Sequence, residues 1–250
     1  MPALLVHGNP DTAHLWDAVL AELGGDGSAE RAAVDLPGFA APRPAGFAAT
    51  KESYVDWIVE RLEELADRGG PVDLVGHDWG SLLVQRVASI RPDLLRSLAC
   101  GGAVVDAEYP WHPLAQVWQT PGEGERYMEE ELTDQVGIDH LVENGVPPEA
   151  AERNAWRTEG GKDVILELYR SAVDIGSEWQ PGVEQVRLPA LVLWGRTDPY
   201  VPLEWGERLA QRLEAKLVVL ECGHWWPYER PAETARALHD LWSRAPLAAG

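Results

Sequence analysis

Cysteine, lysine and long apolar runs are what this chain has least of. Two cysteines in 250 residues, Cys100 and Cys222, cannot build a disulfide framework, and their separation is not that of metal ligands. Both are expected to be reduced thiols in a core, with no metal and no cofactor. No apolar stretch approaches the roughly 20 residues that cross a bilayer, and Met1-Pro2 does not lead through a basic segment into an apolar one. A cytoplasmic protein without membrane contact is expected. Positive charge is short as well: 21 Lys and Arg stand against 41 Asp and Glu, a formal charge of −20. Binding to nucleic acid depends on neutralising its phosphates, so nucleic acid is excluded as a partner. The same field disfavours anionic substrates and helps an anionic product leave, within a screening distance of about 10 Å. Also missing are a glycine-serine linker, an internal repeat and any low-complexity tract. A chain that is 45% hydrophobic then reads as one domain with an insertion.

What is present is an alternation of short apolar runs and amphipathic segments. Runs at 3–6, 31–34, 72–75, 94–105, 190–194 and 216–220, bounded by Gly, Pro, Asp or His, read as strands. Tyr54, Val55, Ile58, Leu62 and Leu65 recur at helical spacing behind a Thr50 or Ser53 cap, and 203–213 and 232–242 read as helices too. The alternation predicts an open, mostly parallel sheet with helices on both faces, which binds ligands beyond the carboxyl ends of its strands. The stretch 106–182 breaks the rhythm with six prolines, Pro110, Pro113, Pro121, Pro147, Pro148 and Pro181, and with helical segments at 149–156 and 162–173. It reads as a helical cap inserted between core segments 1–105 and 183–250. Trp111, Trp118 and Trp156 are then walls of a small apolar pocket that excludes water.

Gly76-His77-Asp78-Trp79-Gly80 has the form of a nucleophile elbow with aspartate where serine usually stands. The strand at 72–75 enters it and an apolar helix at 81–90 leaves it, ended by Arg91-Pro92. Glycines at 76 and 80 let the turn tighten and lift the central side chain into a cleft. An aspartate so presented is a candidate carboxylate nucleophile.

Four further motifs lie at strand ends: His7-Gly8-Asn9-Pro10, Asp35-Leu36-Pro37-Gly38-Phe39, Trp194-Gly195-Arg196-Thr197-Asp198-Pro199 and Gly223-His224-Trp225-Trp226. With the elbow, in this order, the chain resembles an α/β-hydrolase of the haloalkane dehalogenase and epoxide hydrolase branch over nearly its whole length. The resemblance implies an α/β-hydrolase fold. The family usually has two strands before the His-Gly strand, and here that strand comes first, so about six strands are expected. An uncovered first strand could then pair with a second chain, leaving monomer and homodimer both open.

The resemblance carries over a triad: Asp78 as nucleophile, His224 as the neutral base, and Asp198 as the acid that orients it, with Asp106 as runner-up for the acid. It implies a small-molecule substrate and a catalytic water. Asp78 would form an alkyl ester on a saturated carbon, and His224 would activate water against the ester carbonyl while the backbone N–H groups of Trp79 and Asn9 hold the oxyanion. The Trp79 indole and the Asn9 amide match the halide donors of dehalogenases, whereas epoxide opening needs an acid, for which Tyr109, Tyr127 and Tyr169 are the cap candidates. Asn9 favours hydrolytic dehalogenation of a small neutral haloalkane, with epoxide hydrolysis as the alternative. Fluoroacetate-type dehalogenation is disfavoured because Trp79 stands where such relatives have arginine. Ser81, three residues past the apex, does not serve a serine esterase, and His7 and His77 are expected to fix loops by hydrogen bonds. A non-catalytic small-molecule receptor is the remaining class, and it would require the three triad side chains to lie apart.

Overall fold

The computed structural model describes residues 1–24 and 31–246. Six parallel strands, β1 (Ala3–Val6), β2 (Arg31–Val34), β3 (Val72–His77), β4 (Leu95–Gly101), β5 (Ala190–Gly195) and β6 (Lys216–Leu220), form one sheet in the order β2-β1-β3-β4-β5-β6. This is the α/β-hydrolase arrangement that the motifs predict. The inner strands β1, β3 and β4 are buried along their whole length, as a parallel sheet sandwiched by helices requires. The first strand is not uncovered, however. β1 pairs with β2 on one side and β3 on the other, and the sheet edges are β2 and β6.

Helices α1 (Asp17–Glu22), α2 (Lys51–Gly69) and α3 (Trp79–Ile90) follow β1, β2 and β3. Thr50 caps α2 by accepting the Ser53 N–H, and the stripe Tyr54, Val55, Ile58, Leu62 and Leu65 is buried. Almost every residue of α3 as far as Ala88 is buried, against β3, β4 and α2.

Between β4 and β5 run α4 (Pro113–Gln119), α5 (Glu123–Arg126), a wide π-type turn (Tyr127–Glu131), α6 (Asp134–Glu143), α7 (Pro148–Ala151), α8 (Gly161–Ser171) and α9 (Ile175–Val183). The last of these packs on α3. After β5 come α10 (Leu203–Arg212), α11 (Trp226–Glu229) and α12 (Pro231–Arg244). Among the described residues no helix is long and apolar enough to cross a membrane.

Two predicted elements come out shorter. The fourth strand ends at Gly101 rather than 105, because Gly102 turns the chain with φ +79° directly in front of the His77 and His224 rings. The helix expected over 149–156 breaks into α7 and a 3-10 turn, Ala155–Arg157. Asn154 is extended there, and the Ala155 N–H leaves the helical ladder to donate to the Pro10 carbonyl at 2.8 Å. A tertiary hydrogen bond to the first core loop outweighs local helical preference.

The elbow is where the sheet meets its covering helix most tightly. Asp78 sits at φ 52°, ψ −121°, a conformation that costs a non-glycine residue about 1–3 kcal/mol and persists only where its surroundings enforce it. Glycines enforce it here. A methyl at Gly80 would run into the Val6 and His7 carbonyls, one at Gly76 would meet the Gly80 carbonyl, and one at Gly8 would meet Asp78 itself. Gly80→Ala is therefore expected to destabilise the protein by about 1–3 kcal/mol through overpacking. Urea unfolding measures this, and a midpoint equal to that of the unaltered chain would contradict the contact.

Candidate functional site

The carboxyl ends of β1, β3 and β5 and the loop after β6 bring four side chains together. Asp78 Oδ1 accepts the Asn9 backbone N–H at 2.7 Å, and Asp78 Oδ2 lies 3.6 Å from His224 Nε2. On the other side of the imidazole, His224 Nδ1 donates to Asp198 Oδ2 at 2.7 Å. The second oxygen of Asp198 accepts the N–H groups of Tyr200 and Val201, both at 2.9 Å. His224 and Asp198 are closed off from solvent, whereas Asp78 keeps 16% of its side chain open. The opening faces a cavity.

Two other histidines hold these loops in place. His77 Nε2 donates to the His224 carbonyl at 2.9 Å, tying the elbow to the loop after β6. His7 Nε2 accepts the Leu36 N–H at 3.0 Å, so its Nδ1 carries the proton and donates to the Gly8 carbonyl at 2.7 Å. Burial lowers the pKa of both, to about 4 for His7 and about 3 for His77, so neither carries charge at neutral pH.

His224 behaves in the opposite way. Burial works against its charge, but the Asp198 carboxylate, through charge and hydrogen bond, and then Asp78 outweigh it and raise the ring to about 10. Burial likewise opposes ionisation of Asp78, and the hydrogen bond and charge of His224, helped by His77 and the Trp79 N–H, bring its pKa below the usual value. Both shifts favour a protonated His224 ring beside an ionised Asp78.

The runner-up acid is engaged elsewhere. Asp106 Oδ2 is held by Arg212 at 2.7 Å and by Arg208 at 3.1 Å, and its Oδ1 accepts the Glu108 N–H at 2.9 Å. The partner of His224 is Asp198.

A cavity of about 240 Å³ lies over Asp78, with Asn9, Trp79, Trp111, Trp118, Trp156 and Tyr169 among its walls. None of the residues that line it is Lys or Arg. The Trp79 Nε1 and Asn9 Oδ1 atoms are buried without a protein hydrogen-bond partner. Of the three candidate tyrosines only Tyr169 joins them. Its ring lies 5.0 Å from that of Trp79. Burial, followed by the Asp78 charge, raises its pKa well above the phenol value, partly offset by Trp79 and Asn9 beside its hydroxyl. Tyr109 instead donates to the Tyr200 carbonyl at 3.2 Å, and the half-buried Tyr127 packs on Trp118 at 6.2 Å. Among the described residues no group of His, Cys, Asp or Glu is arranged to hold a metal ion.

Residues 3–237 match the Alpha/beta hydrolase family. The chain belongs to that family. It is 29% identical over 255 residues to a 2-hydroxy-6-oxo-2,4-heptadienoate hydrolase of Pseudomonas putida, covering 96% of this chain and 88% of the relative. It is 23% identical over 265 residues to epoxide hydrolase 3 of Xenopus tropicalis, 95% of this chain and 70% of that one. The haloalkane dehalogenase DbeA of Bradyrhizobium elkani superposes with a TM-score of 0.75 at 19% identity, covering 98% and 92% of the two chains. That last likeness is one of fold.

Four residues of this α/β-hydrolase site carry weaker sequence signals. Tyr200, two residues past Asp198, packs its ring 5.1 Å from that of His224 and bonds its hydroxyl to His140 Nε2 at 2.5 Å. Trp225 packs 5.0 Å from the same ring and donates from Nε1 to Asp11 at 3.0 Å. Asp11, next to the His-Gly-Asn-Pro motif, is pushed up to about 7 by burial, which the Trp225 hydrogen bond only partly relieves. His112 lines the cavity from the start of α4. Trp225 stands within the Gly-His-Trp-Trp motif, Asp11 and Tyr200 directly follow motifs, and His112 precedes a helix proline.

The charge arrangement gives a titration test. With its pKa raised in the folded state, the imidazolium contributes stability that is fully present below about 6.5 and is lost as pH rises through about 10. Asp78→Asn removes one of the two carboxylates, so the His224 midpoint should fall, and Asp198→Asn should lower it further. Asp106→Asn should leave it in place. Ring ¹⁵N NMR reads all three, and an unmoved midpoint in Asp198→Asn would refute the assigned partner.

Proposed function

We propose that this enzyme displaces a leaving group from saturated carbon through a covalent alkyl ester on Asp78, that the leaving group is a halide, and that the substrate is a small neutral haloalkane. The observation that carries the reading is an ionised carboxylate at the elbow apex, open to an aromatic cavity, beside the unpartnered indole N–H of Trp79. Asp78 attacks in line with the carbon–halogen bond, and the halide leaves with the bonding pair. It needs no proton, only donors for the developing charge, which the Trp79 indole N–H and the Asn9 amide N–H supply.

The ester step changes the state of His224. Once Asp78 is alkylated its negative charge is gone, and with it one of the contributions that hold the ring protonated. The proton passes to solvent and the neutral ring takes one from water, which attacks the acyl carbon of Asp78. The tetrahedral oxyanion is held by the N–H groups of Asn9 and Trp79. Collapse releases the alcohol, which leaves with a proton from the new carboxyl group, and restores ionised Asp78 beside protonated His224. The balance is haloalkane plus water to alcohol, halide and one proton. Serine in place of Asp78 would give an ether with no carbonyl for water to attack. In this reading the helices between β4 and β5 are a cap that keeps bulk water from the ester.

A cavity wall without Lys or Arg fits a neutral substrate better than a carboxylate such as the dienoate in the name of the Pseudomonas relative. A second reading, epoxide opening to a vicinal diol, is favoured by Tyr169, whose phenol lies beside Asn9 and Trp79 and can protonate an alkoxide.

Bromoalkanes and styrene-like epoxides, assayed for bromide and diol, separate the two. Bromide release is expected, and diol formation without any bromide would decide for the epoxide. His224→Gln should slow ester hydrolysis by about 10²–10⁴-fold and leave the substrate's alkyl group on the Asp78 peptide, visible by mass spectrometry. Turnover by this variant at the unaltered rate would sink the two-step scheme.

A further inference from the structure

One polar group in the cavity wall takes no part in that scheme. His112 is the N-cap of α4, with φ −62° and ψ 156°, and its Nδ1 accepts the Ala115 N–H at 3.2 Å. A ring nitrogen that accepts carries no hydrogen, so in the neutral ring the hydrogen is on Nε2. Burial outweighs the nearby Asp78 charge and lowers the ring to about 4, so the ring stays neutral across the physiological range. Nε2 makes no hydrogen bond to a described residue. The ring is set in an aromatic wall, 5.5 Å from Tyr200 and 6.5 Å from Trp118. Tyr200 in turn packs on His224 at 5.1 Å and Trp118 on Tyr169 at 4.8 Å. One aromatic ring therefore separates His112 from the base on one side and from the Asn9, Trp79 and Tyr169 cluster on the other.

We propose that His112 Nε2–H binds an uncharged oxygen acceptor of the substrate, so that the preferred substrates are neutral haloalkanes bearing an ether, carbonyl or hydroxyl oxygen beyond the reacting carbon. The proposal rests on the dehalogenase reading for the halogen, and on the cavity alone for the oxygen. A plain hydrocarbon chain would cover the Nε2–H and leave it without a partner, a cost that an oxygen acceptor removes. A neutral, donor-only edge gives no advantage to a carboxylate, in keeping with a wall that holds no Lys or Arg.

Cyclohexanone and methylenecyclohexane test this at equilibrium. They share a shape, differ in the acceptor, and have no leaving group. Dissociation constants from ligand-observed NMR should favour the ketone by about tenfold. His112→Asn can keep the cap, since its Oδ1 can accept the Ala115 N–H, but loses the hydrogen at the Nε2 position, and the preference should vanish. His112→Gln gives up the cap yet places an amide N–H near that position, so part of the preference should return. A purely structural role for His112 would not be rescued by Gln. Equal affinities in the unaltered protein, or a preference that survives in His112→Asn, would overturn the proposal. Bromide release from bromoalkanes by the unaltered protein reports separately on the dehalogenase reading.

Discussion

Contact between the Gly80 backbone and the Val6 and His7 carbonyls is the constraint on which the site depends. Because no Cβ intervenes, α3 starts directly against the end of β1, and the turn between β3 and α3 closes so sharply that Asp78 is driven to positive φ. In that conformation the carboxylate leaves the sheet and reaches the Asn9 N–H on the neighbouring loop. The strain at one residue is met by packing of two inner strands, β1 and β3, and the deeply buried helix α3. Everything that addresses the carboxylate, the His224 ring behind it and the aromatic wall above it, is measured from that point.

Three ionisable groups are packed into this largely buried corner. The arrangement holds because each carboxylate has a share in the same imidazolium and Asp198 has two backbone N–H groups besides. A buried charge left alone would cost several kcal/mol, so the members are mutually dependent. In the proposed reaction the same dependence would let esterification of Asp78 act on His224 at a distance of 3.6 Å. One covalent event then both forms the intermediate and weakens the grip on the proton of the group that must attack it. Asp106 illustrates the alternative: a buried carboxylate neutralised by Arg208 and Arg212 is fixed in a structural cluster and has no imidazole to act upon.

The strands were legible in sequence because a parallel sheet buries both faces and demands continuous apolar runs, and all five motifs lie at or just past the ends of such runs. Asp78, His224, Asp198 and Asn9 were named through the motifs that carry the family resemblance, and the topology brings those strand ends together. Of the cavity wall, Trp111, Trp118 and Trp156 were legible as apolar residues of the inserted helices, but the choice among the tyrosines was not. Tyr109, Tyr127 and Tyr169 have equivalent sequence contexts, and only the packing of α8 against α4 turns Tyr169 toward Trp79. The break at Asn154 depends on the Pro10 carbonyl, 145 positions away in sequence order between Ala155 and Pro10. Local periodicity contains no record of such a partner. His112 was not singled out by sequence: one ring nitrogen caps α4, and the other gains a meaning only with the cavity in view.

Membership of a family whose relatives include dienoate and epoxide hydrolases leaves the reaction to a few atoms. At the elbow apex a hydroxyl would be a nucleophile toward acyl carbon, and its alkyl adduct would be inert. A carboxylate attacks alkyl carbon and yields an ester that the same imidazole can clear. The rest of the machinery serves either nucleophile: Asn9 N–H, Trp79 N–H and the His224–Asp198 pair address a tetrahedral carbon at one place, whichever group supplied it. What then separates halide from alkoxide is whether the leaving atom needs a proton. Trp79 donates a hydrogen bond but holds its proton, whereas Tyr169 can give one up. Its burial and the Asp78 charge both resist phenolate formation. That resistance is greatest before displacement, while Asp78 is still charged, and falls as the ester forms. A proton would therefore move late, after the carbon–oxygen bond is largely broken, which suits a leaving group able to bear negative charge by itself. Burial and the Asp78 charge thus make Tyr169 a reluctant acid, only partly offset by Trp79 and Asn9, and in the proposed reaction halide, which asks only for donors, is the better-matched leaving group.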